Sequence, residues 1–336
     1  MKIYRSLAET PRDFGPCALT IGNFDGVHHG HRRILRRVKE VAREHGWKAS
    51  ALTFDPHPTR VVAPERSPLL MTSPERRAEL MRDEGIEQVV ILPFTAEVAQ
   101  LSPEEFVRQV IVDRLGARAV LVGNNFRFGH RHAGDVELLA ELGRQLGFAT
   151  EVVPAVTCRG WVVSSSVIRE LIREGHVSIA GRLLERPYAL EGEVVSGRGV
   201  GRKQTVPTLN LATKQELIPA RGVYVTRTRD LDSEREWGSI TNVGYRPTFG
   251  DSEELTIETF LLEGDLPTPG GPDADAAGEW RAPSRIRVEF LRRVRDERKF
   301  ATPEDLRAQI FKDVGAAQRY FRRRRAWVGR VPCTSS

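Results

Sequence analysis

Three histidines and three glycines stand close together in residues 21–35, IGNFDGVHHGHRRIL. His28 and His31 are three positions apart at the expected start of a helix, so they share one face, whereas His29 points elsewhere. Beside the positive end of a helix dipole, two imidazoles can donate hydrogen bonds to phosphate oxygens whose charge grows during substitution at phosphorus. A zinc site and a purely structural histidine pair are the alternatives that this spacing leaves open.

The elements around this motif alternate between strand and helix. Apolar runs such as ALTIG (18–22) and QVVILPF (88–94) are separated by helical patterns such as SPERRAELMRDEG (73–85). The alternation predicts an α/β, Rossmann-like domain with a parallel sheet covered on both faces. A helix is expected from about His29. The histidine motif directly follows a strand, which is where such sheets bind their ligands.

After Pro187 the pattern changes to strand upon strand. Six short strand-like runs without intervening helices predict a small, six-stranded antiparallel β-barrel, and residues 302–321 predict one closing C-terminal helix. Residues 264–283 are rich in Pro, Gly, Ala and Asp and are expected to form a flexible loop. Four apolar residues lie broadly along one face of the closing helix, which we expect to pack on the barrel: Leu306, Ile310, Val314 and Phe321.

Length and composition limit the class of protein. The chain has 336 residues, of which 40% are hydrophobic and 29% charged, so we predict two globular domains, residues 1–186 and 187–330. No apolar run approaches the ~20 residues that span a bilayer, and no membrane partner is expected. The three cysteines are far apart and form no C-x-x-C pair, which favours a reduced, cytoplasmic protein without a structural zinc: Cys17, Cys158 and Cys333.

The charge balance indicates which partners are attracted. A net charge of +6 suits nucleic acid, acidic membranes or phosphorylated small molecules. The densest basic run, YFRRRRAWVGR at 320–330, is typical of a solvated helix end. Because the sequence has no aromatic-basic signature such as an RNP motif, no nucleic-acid partner is expected. Oligomerisation is left open.

Several motifs together resemble one family. GNFDGVHHGH (22–31) resembles the G-x-F-D-x-x-H-x-G-H signature of nucleotidylyltransferases, which place a nucleoside monophosphate on an acceptor and release pyrophosphate. VSSSVIR (163–169) and VGNNFRFGHRHAGD (122–135) are similar to two further motifs of those enzymes, and GRGVGRKQTVPTLNL (197–211) is similar to a riboflavin kinase stretch. By this combination the chain is identified as a member of the bifunctional riboflavin kinase and FMN adenylyltransferase family, the bacterial FAD synthetases.

The match is incomplete in detail. Ser166 stands where the family's motif has Thr, Gln204 and Thr205 replace Leu-Gly, and Leu209 replaces Ala. These departures bear on loop geometry and affinity rather than on the reaction.

The resemblance implies roles for residues of the first domain. His28 and His31 would stabilise negative charge on the phosphates of ATP while the FMN phosphate attacks the α-phosphorus, and Arg169 would grip the departing pyrophosphate. His57 would line the flavin side, although Pro-His-Pro is also typical of a rigid turn. The other expected ATP-binding residues are Gly22, Asn23, Phe24, Asp25, Asn125, Ser164, Ser165 and Ser166.

The serine run and two phenylalanines each have an ordinary structural alternative. A serine run before a helix is often only an N-cap. Phe126 and Phe128, which could wall a nucleotide pocket, serve equally well as core residues.

The resemblance also implies a second active site. Glu258 would be the base that deprotonates the ribityl 5′-hydroxyl of riboflavin, although an outward solvated glutamate is the ordinary interpretation of its strand pattern. Thr208 and Asn210, at alternate positions of one strand, would hold Mg²⁺ or another divalent cation. The expected ATP contacts of this domain are Gly197, Gly199, Gly201 and Arg202, and the expected flavin contacts are Arg295, Glu297 and Phe300.

ATP, riboflavin and FMN are therefore the expected small-molecule partners, with FAD as the final product. Two other classes remain. A nucleotidylyltransferase for a different acceptor would leave PTLN (207–210) and Glu258 unexplained. A nucleic-acid-binding or regulatory protein would use the basic surface and would bind RNA in a salt-sensitive way.

Overall fold

A computed structural model describes most of the chain: residues 1–158, 160–195, 208–247, 253–262, 282–298 and 300–328. The chain divides into two compact units, Met1–Ile168 and Arg169–Ser336. A domain boundary after residue 186 stays a prediction. Among the described residues, no helix is both long and apolar enough to cross a bilayer. Some expected features lie outside the described residues, namely residues 264–281 of the 264–283 loop, Gly197, Gly199, Gly201 and Arg202.

The first unit has the predicted alternation of strands and helices. Its strands are β1 (Lys2–Tyr4), β2 (Cys17–Ile21), β3 (Lys48–Asp55), β4 (Gln88–Pro93), β5 (Ala117–Gly123), β6 (Ala149–Val153), β7 (Thr157–Cys158) and β8 (Trp161–Val162). Its helices are α1 (His29–His45), α2 (Pro58–Val62), α3 (Pro74–Asp83), α4 (Ala96–Gln100), α5 (Pro103–Glu105), α6 (Val136–Leu146) and the first turn of α7 (Ser165–Arg173). Short 3-10 turns lie at Pro64–Arg66 and His130–His132, and α5 continues into a wider π-helical segment, Phe106–Arg114.

Six strands form a parallel sheet in the order β1-β4-β3-β2-β5-β6. From β2 the chain moves through β3 and β4 toward one edge, and β5 then pairs on the other side of β2. The order of strands therefore reverses between β2 and β5. Ligands of such sheets bind at the carboxyl ends of the strands at this reversal, and the histidine motif begins directly after β2.

The sheet is buried on both faces, as predicted. Alternate residues of β2 enter two different cores, because Cys17, Leu19 and Ile21 pack on one side while Ala18 packs on the other. Helix α1 covers the second side through its buried residues Leu35, Val38, Val41 and Ala42. This fixed packing holds the start of α1 over the carboxyl end of β2.

The second unit is built on a closed barrel of six antiparallel strands, which confirms the predicted fold class. The strands are β9 (Tyr188–Val195), β10 (Thr208–Thr213), β11 (Gly222–Asp230), β12 (Glu236–Pro247), β13 (Glu253–Leu261) and β14 (Arg285–Arg295), in the order β10-β13-β12-β11-β14-β9. The unit's helices are the rest of α7, α8 (Val177–Leu184) and α9 (Pro303–Val328).

Buried hydroxyls line part of the barrel interior. Thr226 hydrogen-bonds to Ser239 at 2.8 Å and to Thr241 at 2.7 Å, and Thr241 continues to Thr259 at 2.9 Å. All four side chains are fully buried. Because side chains alternate across a strand, their neighbours Ile240, Glu258 and Phe260 face outward. The outer face therefore carries the residues expected to do chemistry.

Helix α9 packs on the barrel as expected, but with a different set of residues at its start. Val314 and Phe321 contact the apolar outer face around Val225 and Ile240. Leu306, by contrast, is 44% exposed, so its predicted place on the packing face is wrong. The helix begins at Pro303, where the Thr302 hydroxyl accepts a hydrogen bond from the Asp305 amide and caps the first turn.

Candidate functional sites

Asp25 anchors the loop that joins β2 to α1. Its buried carboxylate accepts hydrogen bonds from the Met71 amide at 3.0 Å and from the amide and hydroxyl of Thr72 at 3.1 and 3.0 Å. The Gly26 amide in turn donates to the Thr72 hydroxyl at 3.1 Å. This carboxylate therefore positions the loop. Its partners Met71 and Thr72 are distant in the sequence, so the sequence pattern could not identify them.

The same loop holds unusual backbone angles. Phe24 and Val27 have φ values of 48° and 38°, in the left-handed region that such residues rarely adopt. The Phe24 ring is buried and lies edge-on to the His31 ring, with centroids 5.1 Å apart. Gly22 must stay small, since a Cβ there would lie 3.3 Å from the Phe24 ring. Asn23 offers its carbonyl to the Thr53 hydroxyl at 3.2 Å.

His28 and His31 lie against each other at the start of α1, as the sequence spacing predicts. Their rings are stacked with centroids 3.6 Å apart and planes 14° apart. His28 is the N-cap, and its Nδ1 accepts a hydrogen bond from the His31 amide at 3.3 Å. In a neutral ring that bond assigns the proton of His28 to Nε2. A Cβ on Gly30 would lie 3.2 Å from the His28 ring, so a larger residue at position 30 would crowd that ring.

The start of α7 comes to the same loop. Ser165 donates its hydroxyl to the Asp25 carbonyl at 3.0 Å, and Ser164 caps α7 by accepting the Val167 amide at 3.3 Å. Two helix N-termini, with their amide groups and positive dipole ends, therefore approach one place. Ser166 is exposed, and Arg169 follows Ser165 by four residues on the same face of α7.

Two other predicted residues lie at the carboxyl ends of strands that flank β2. His57 follows β3 and is buried, with its Nδ1 accepting the Thr59 amide at 3.3 Å as the N-cap of α2. Asn125 follows β5 and is exposed, with its amide oxygen beside Gly123. The structure thus brings both to the edge of the sheet that holds the histidine pair.

The phenylalanines after β5 are mainly core residues. Phe128 is buried and stacks on Phe126, with ring centroids 5.4 Å apart, and both pack on the core of the first unit. The ordinary structural interpretation of these two rings is therefore confirmed.

Sequence reasoning missed Arg77, a fully buried cation at this sheet edge. Its Nη1 donates to the Thr53 hydroxyl at 3.0 Å and to the Phe54 carbonyl at 3.2 Å. Burial lowers the pKa of Arg77 below its usual value, although the nearby Asp25 and Asp55 carboxylates act in the opposite direction. In the charged sequence around helix α3, SPERRAELMRDEG, nothing distinguishes the buried Arg77 from an exposed arginine.

In the barrel, Glu258 is aligned with two amide side chains. It lies directly opposite Asn210 of β10 and directly opposite Asn242 of β12. Directly paired residues of antiparallel strands point to the same face, with Cβ atoms roughly 4.5–5.5 Å apart. Glu258 is half-buried on the outer face of the barrel. Asn242, in the segment NVGYRPTF, was not predicted from the sequence to lie beside Glu258.

Thr208 and Glu297 belong to the same outer face. Thr208 precedes Asn210 by two residues and pairs with Phe260, so Thr208 and Asn210 share one side of β10, as expected. The Glu297 carboxylate lies over Gly244, where a Cβ would collide with it. The same Cβ would lie 3.3 Å from the side-chain nitrogen of Asn242. Oxygen and nitrogen donors from three strands and the segment after β14 therefore meet on this face.

Arg295 and Phe300 lie near each other, with the guanidinium carbon of Arg295 5.7 Å from the centre of the Phe300 ring. Arg295 forms a two-pronged ion pair with the buried Asp313 of α9, through Nη2 at 2.8 Å and Nε at 3.0 Å. Phe300 lies beneath the guanidinium of Arg298 at 4.7 Å and lines a cleft of about 340 Å³ at the start of α9. The structure thus places Phe300 at an open cleft and commits Arg295 to holding α9 against β14.

The described residues contain no group of three or more His, Cys, Asp or Glu side chains arranged to hold a metal ion. The oxygens of Thr208, Asn210 and Glu258 are a different donor set, which hard cations such as Mg²⁺ prefer.

Comparisons with known proteins agree with this division into two sites. Residues 10–167 match the FAD synthetase family model, and residues 184–321 match the riboflavin kinase family model. A solved structure titled as a macrolide-efflux protein from Streptococcus pneumoniae has the same fold, with a TM-score of 0.79 and 26% identity over 94% of this chain and 98% of that one.

Two curated relatives extend over nearly the whole chain. The bifunctional riboflavin kinase/FMN adenylyltransferase of Pseudomonas fluorescens is 34% identical over 95% of this chain and 97% of its own. The protein of the same name from Escherichia coli K12 is 30% identical over 96% of this chain and 98% of its own. The resemblance found in the sequence motifs is confirmed. The chain belongs to the family of bifunctional riboflavin kinase/FMN adenylyltransferases.

Proposed function

We propose that the chain makes FAD in two ATP-dependent steps. The second unit phosphorylates riboflavin to FMN, and the first unit transfers AMP from a second ATP to FMN and releases pyrophosphate. The observation that carries this assignment is that the histidine pair lies inside the segment that matches one family model, while Glu258, Thr208 and Asn210 lie inside the segment that matches the other. Family membership supplies the substrates riboflavin, FMN and ATP.

In the first unit, an oxygen of the FMN phosphate attacks the α-phosphorus of ATP, and the bond between that phosphorus and the bridging oxygen breaks. The electron pair leaves with pyrophosphate, so no covalent enzyme intermediate is required. His28 and His31 act as hydrogen-bond donors to the phosphate oxygens, on which charge increases in the transition state. Their stacked rings and the N-cap bond of His28 support this role, because they fix the direction of the donor nitrogen.

The leaving pyrophosphate needs compensation for its charge. The amides at the starts of α1 and α7, together with the hydroxyls of Ser164, Ser165 and Ser166, supply uncharged donors. Arg169 supplies a planar cation that can bind two phosphate oxygens at once. Asp25 acts indirectly, as a positioning residue for the loop.

In the second unit, Glu258 accepts the proton of the ribityl 5′-hydroxyl as its oxygen bonds to the γ-phosphorus. The γ-phosphorus separates from the bridging oxygen, and ADP leaves. We assign Asn242 to orient the Glu258 carboxylate or the substrate, because the two residues are directly paired across strands. General bases of this kind contribute about 10²–10⁴-fold to rate.

The donor set of the barrel face fits a magnesium ion. Thr208 and Asn210 present side-chain oxygens on one side of β10, with the Glu258 carboxylate opposite Asn210. We propose that Thr208 and Asn210 hold the ion. When bound, it would offset the negative charge of the ATP phosphates.

The flavin contacts divide into two kinds. Phe300 and Glu297 are proposed to contact riboflavin near the start of α9, and His57 is proposed to line the FMN side of the first unit. Arg295 is proposed as a positioning residue, because its guanidinium is committed to Asp313. The cytoplasmic location and the absence of a nucleic-acid partner stay predictions.

The test is to incubate the purified full chain with riboflavin, ATP and Mg²⁺ and to separate the flavins. FMN should appear first and FAD later, and a chelator should stop the conversion. Unconverted riboflavin would contradict the kinase assignment. Conversion of added FMN to FAD without any conversion of riboflavin would limit the function to adenylyl transfer.

A further inference from the structure

The second unit contains a cleft of about 1160 Å³ away from the residues proposed for chemistry. Helix α8 and the turn after it form one wall, and residues of α9 from Ala316 to Arg323 form the other. Strand β14 forms the floor with Val225 of β11. Small-molecule sites commonly measure about 300–1,000 Å³, so this cleft, which is larger than that range, has room for a large ligand. Neither Glu258, Thr208 nor Asn210 lines it.

Positive charge dominates the lining of this cleft. One lining residue, Glu185, is acidic, and six are arginines: Arg182, Arg186, Arg292, Arg293, Arg319 and Arg323. We call it the arginine cleft. Arg323 belongs to the basic run at 320–330, which neither catalytic site explains.

The fold itself uses two of these arginines. Arg293 donates to the Arg221 carbonyl at 2.6 Å and to the Glu174 carbonyl at 3.3 Å, and Arg186 donates to the Leu184 carbonyl at 3.2 Å. These contacts account for their places in the structure without a ligand.

The remaining four arginines have no such contacts. Within the described part of the chain, no hydrogen bond or ion pair joins a carboxylate to Arg182, Arg292, Arg319 or Arg323. Arg319 and Arg323 are four residues apart on α9 and so project from the same side of the helix, where like charges repel. Arg182 is on the opposite wall. All four are exposed, and cations on both walls without acidic partners attract an anion that enters between them.

The floor of the arginine cleft is apolar. Val225 and Leu291 are buried beneath it, and Val294 and Ala316 complete its surface beside the ring of Tyr320. A small inorganic anion would leave this surface unused. A flat aromatic group could cover the floor while its phosphates reach the guanidinium groups, which bind phosphate oxygens in pairs. The volume of the arginine cleft, its positive charge and its apolar floor together indicate a ligand with aromatic rings and more than one phosphate.

We propose that the arginine cleft binds an aromatic organic pyrophosphate of dinucleotide size, at a place separate from both catalytic sites. The assignment stands on the residues of the cleft. Only the choice of FAD as the first probe rests on the proposed function. Nucleoside triphosphates also join aromatic rings to several phosphates, so the experiment compares FAD with a nucleoside triphosphate.

The experiment measures the number of FAD molecules bound per full chain by equilibrium dialysis. The test variant is Arg319→Gln with Arg323→Gln. The matched control is Arg307→Gln with Arg322→Gln, which removes the same charge from exposed residues of α9 that do not line the cleft. Wild type and control should bind one more FAD per chain than the test variant, whereas the rates of both reactions should stay within about twofold in all three proteins. Equal stoichiometry and affinity in test and control variants would overturn the proposal.

Further arms identify the ligand and guard against misfolding. Arg182→Gln, on the opposite wall, should also bind one FAD fewer per chain than the wild type. If it binds as many FAD molecules as the wild type, the proposal that both walls form the site is overturned. A non-hydrolysable ATP analogue and inorganic pyrophosphate are compared as competitors for the extra equivalent. We expect pyrophosphate to compete at least tenfold more weakly than FAD, because it cannot cover the apolar floor. Competition as strong as that of FAD would contradict the ring-binding part of the proposal.

Two other outcomes are informative. Salt-sensitive binding of single-stranded RNA to the cleft arginines, with no extra FAD equivalent, would overturn the proposal in favour of a nucleic-acid site. Absence of flavin turnover with the extra FAD equivalent still present would reject the proposed function and leave the arginine cleft in place.

Discussion

The two candidate sites of this chain are constructed in different ways. In the first unit, a single loop between β2 and α1 carries the paired imidazoles, and backbone amides from two helix starts surround them. In the second unit, the reactive groups are single side chains on different strands, and only the pairing register places Glu258 between Asn210 and Asn242. A local motif therefore places the paired imidazoles of the first site, whereas long-range strand pairing places Glu258 of the second. Substitutions in one unit should therefore impair one reaction and spare the other.

Removal of the proposed base should have the largest effect. Glu258→Gln keeps the shape of the side chain but cannot accept the hydroxyl proton, so riboflavin phosphorylation should fall by about 10³-fold. Adenylylation of added FMN should be unchanged, because it takes place in the other unit. The two rates are measured separately by flavin chromatography. Glu234→Gln, in the exposed turn after β11, is the control, and equal losses in both variants would reject the role of Glu258.

The paired imidazoles should show the reciprocal pattern. His28→Asn keeps a side-chain oxygen for the helix cap but removes the imidazole donor, so adenylyl transfer should fall by about 10²–10³-fold. Riboflavin phosphorylation should stay at the wild-type rate. His45→Asn, at the other end of α1, is the matched control. Parallel losses of both reactions, with the fold intact, would show that the sites are not separate.

Asn242 tests whether strand register alone places a working side chain. Asn242→Ala should lower riboflavin phosphorylation about tenfold and shift its pH profile, because the amide no longer orients the Glu258 carboxylate. A purely structural role would change the melting temperature without moving the pH profile. Asn242→Gln, with a longer amide, should recover part of the activity.

Asp25 tests the local construction of the first site. Asp25→Asn weakens three hydrogen bonds to Met71 and Thr72 inside the fold, so we expect the first unit to lose about 1–3 kcal/mol of stability. Adenylyl transfer should fall as the loop loses its position, and riboflavin phosphorylation should persist. Unfolding is followed by calorimetry. An unchanged melting temperature would contradict the anchoring role.

The smallest effect concerns alkaline pH. Burial raises the pKa of the Cys17 thiol in the first unit from 9.0 to about 12, and burial raises the pKa of Tyr224 in the second unit from 10.0 to about 12. Both groups contribute stability that is complete below the unfolded pKa and is lost as the pH rises toward 12. The loss should therefore begin near pH 9 for Cys17 and near pH 10 for Tyr224. In melting temperatures measured as a function of pH, Cys17→Ala should abolish the decrease in stability that begins near pH 9. An unchanged pH dependence in this variant would contradict the assignment to Cys17.

The sequence predicted the elements better than their arrangement. Strand-helix alternation and then strand succession gave both fold classes, because periodicity is a local property, and His29 was correctly expected at the start of α1. The three-residue edge strand β1 and its parallel pairing with β4 were missed, since a short run such as KIY has little periodicity. Leu306 was wrongly placed on the packing face because the apolar stripe of a long helix drifts around its axis and α9 contacts the barrel mainly farther along.

The same distinction applies to the sites. The spacing of His28 and His31 was enough to predict their contact, since three residues separate neighbours on a helix. The pattern could not show that Asp25 bonds to Thr72, 47 residues away, or that Arg295 pairs with Asp313 on a different element. Those bonds depend on tertiary packing, which one local motif does not encode.

The most direct test of two self-sufficient sites is to mix the two impaired enzymes. Glu258→Gln supplied with riboflavin and ATP should leave riboflavin unconverted, and His28→Asn should stop at FMN. An equimolar mixture of the two variants should produce FAD at a rate near that of wild type diluted twofold, because FMN made by one chain can be used by the other. A mixture that contains folded proteins and accumulates no FAD would contradict the claim that the two active sites work independently.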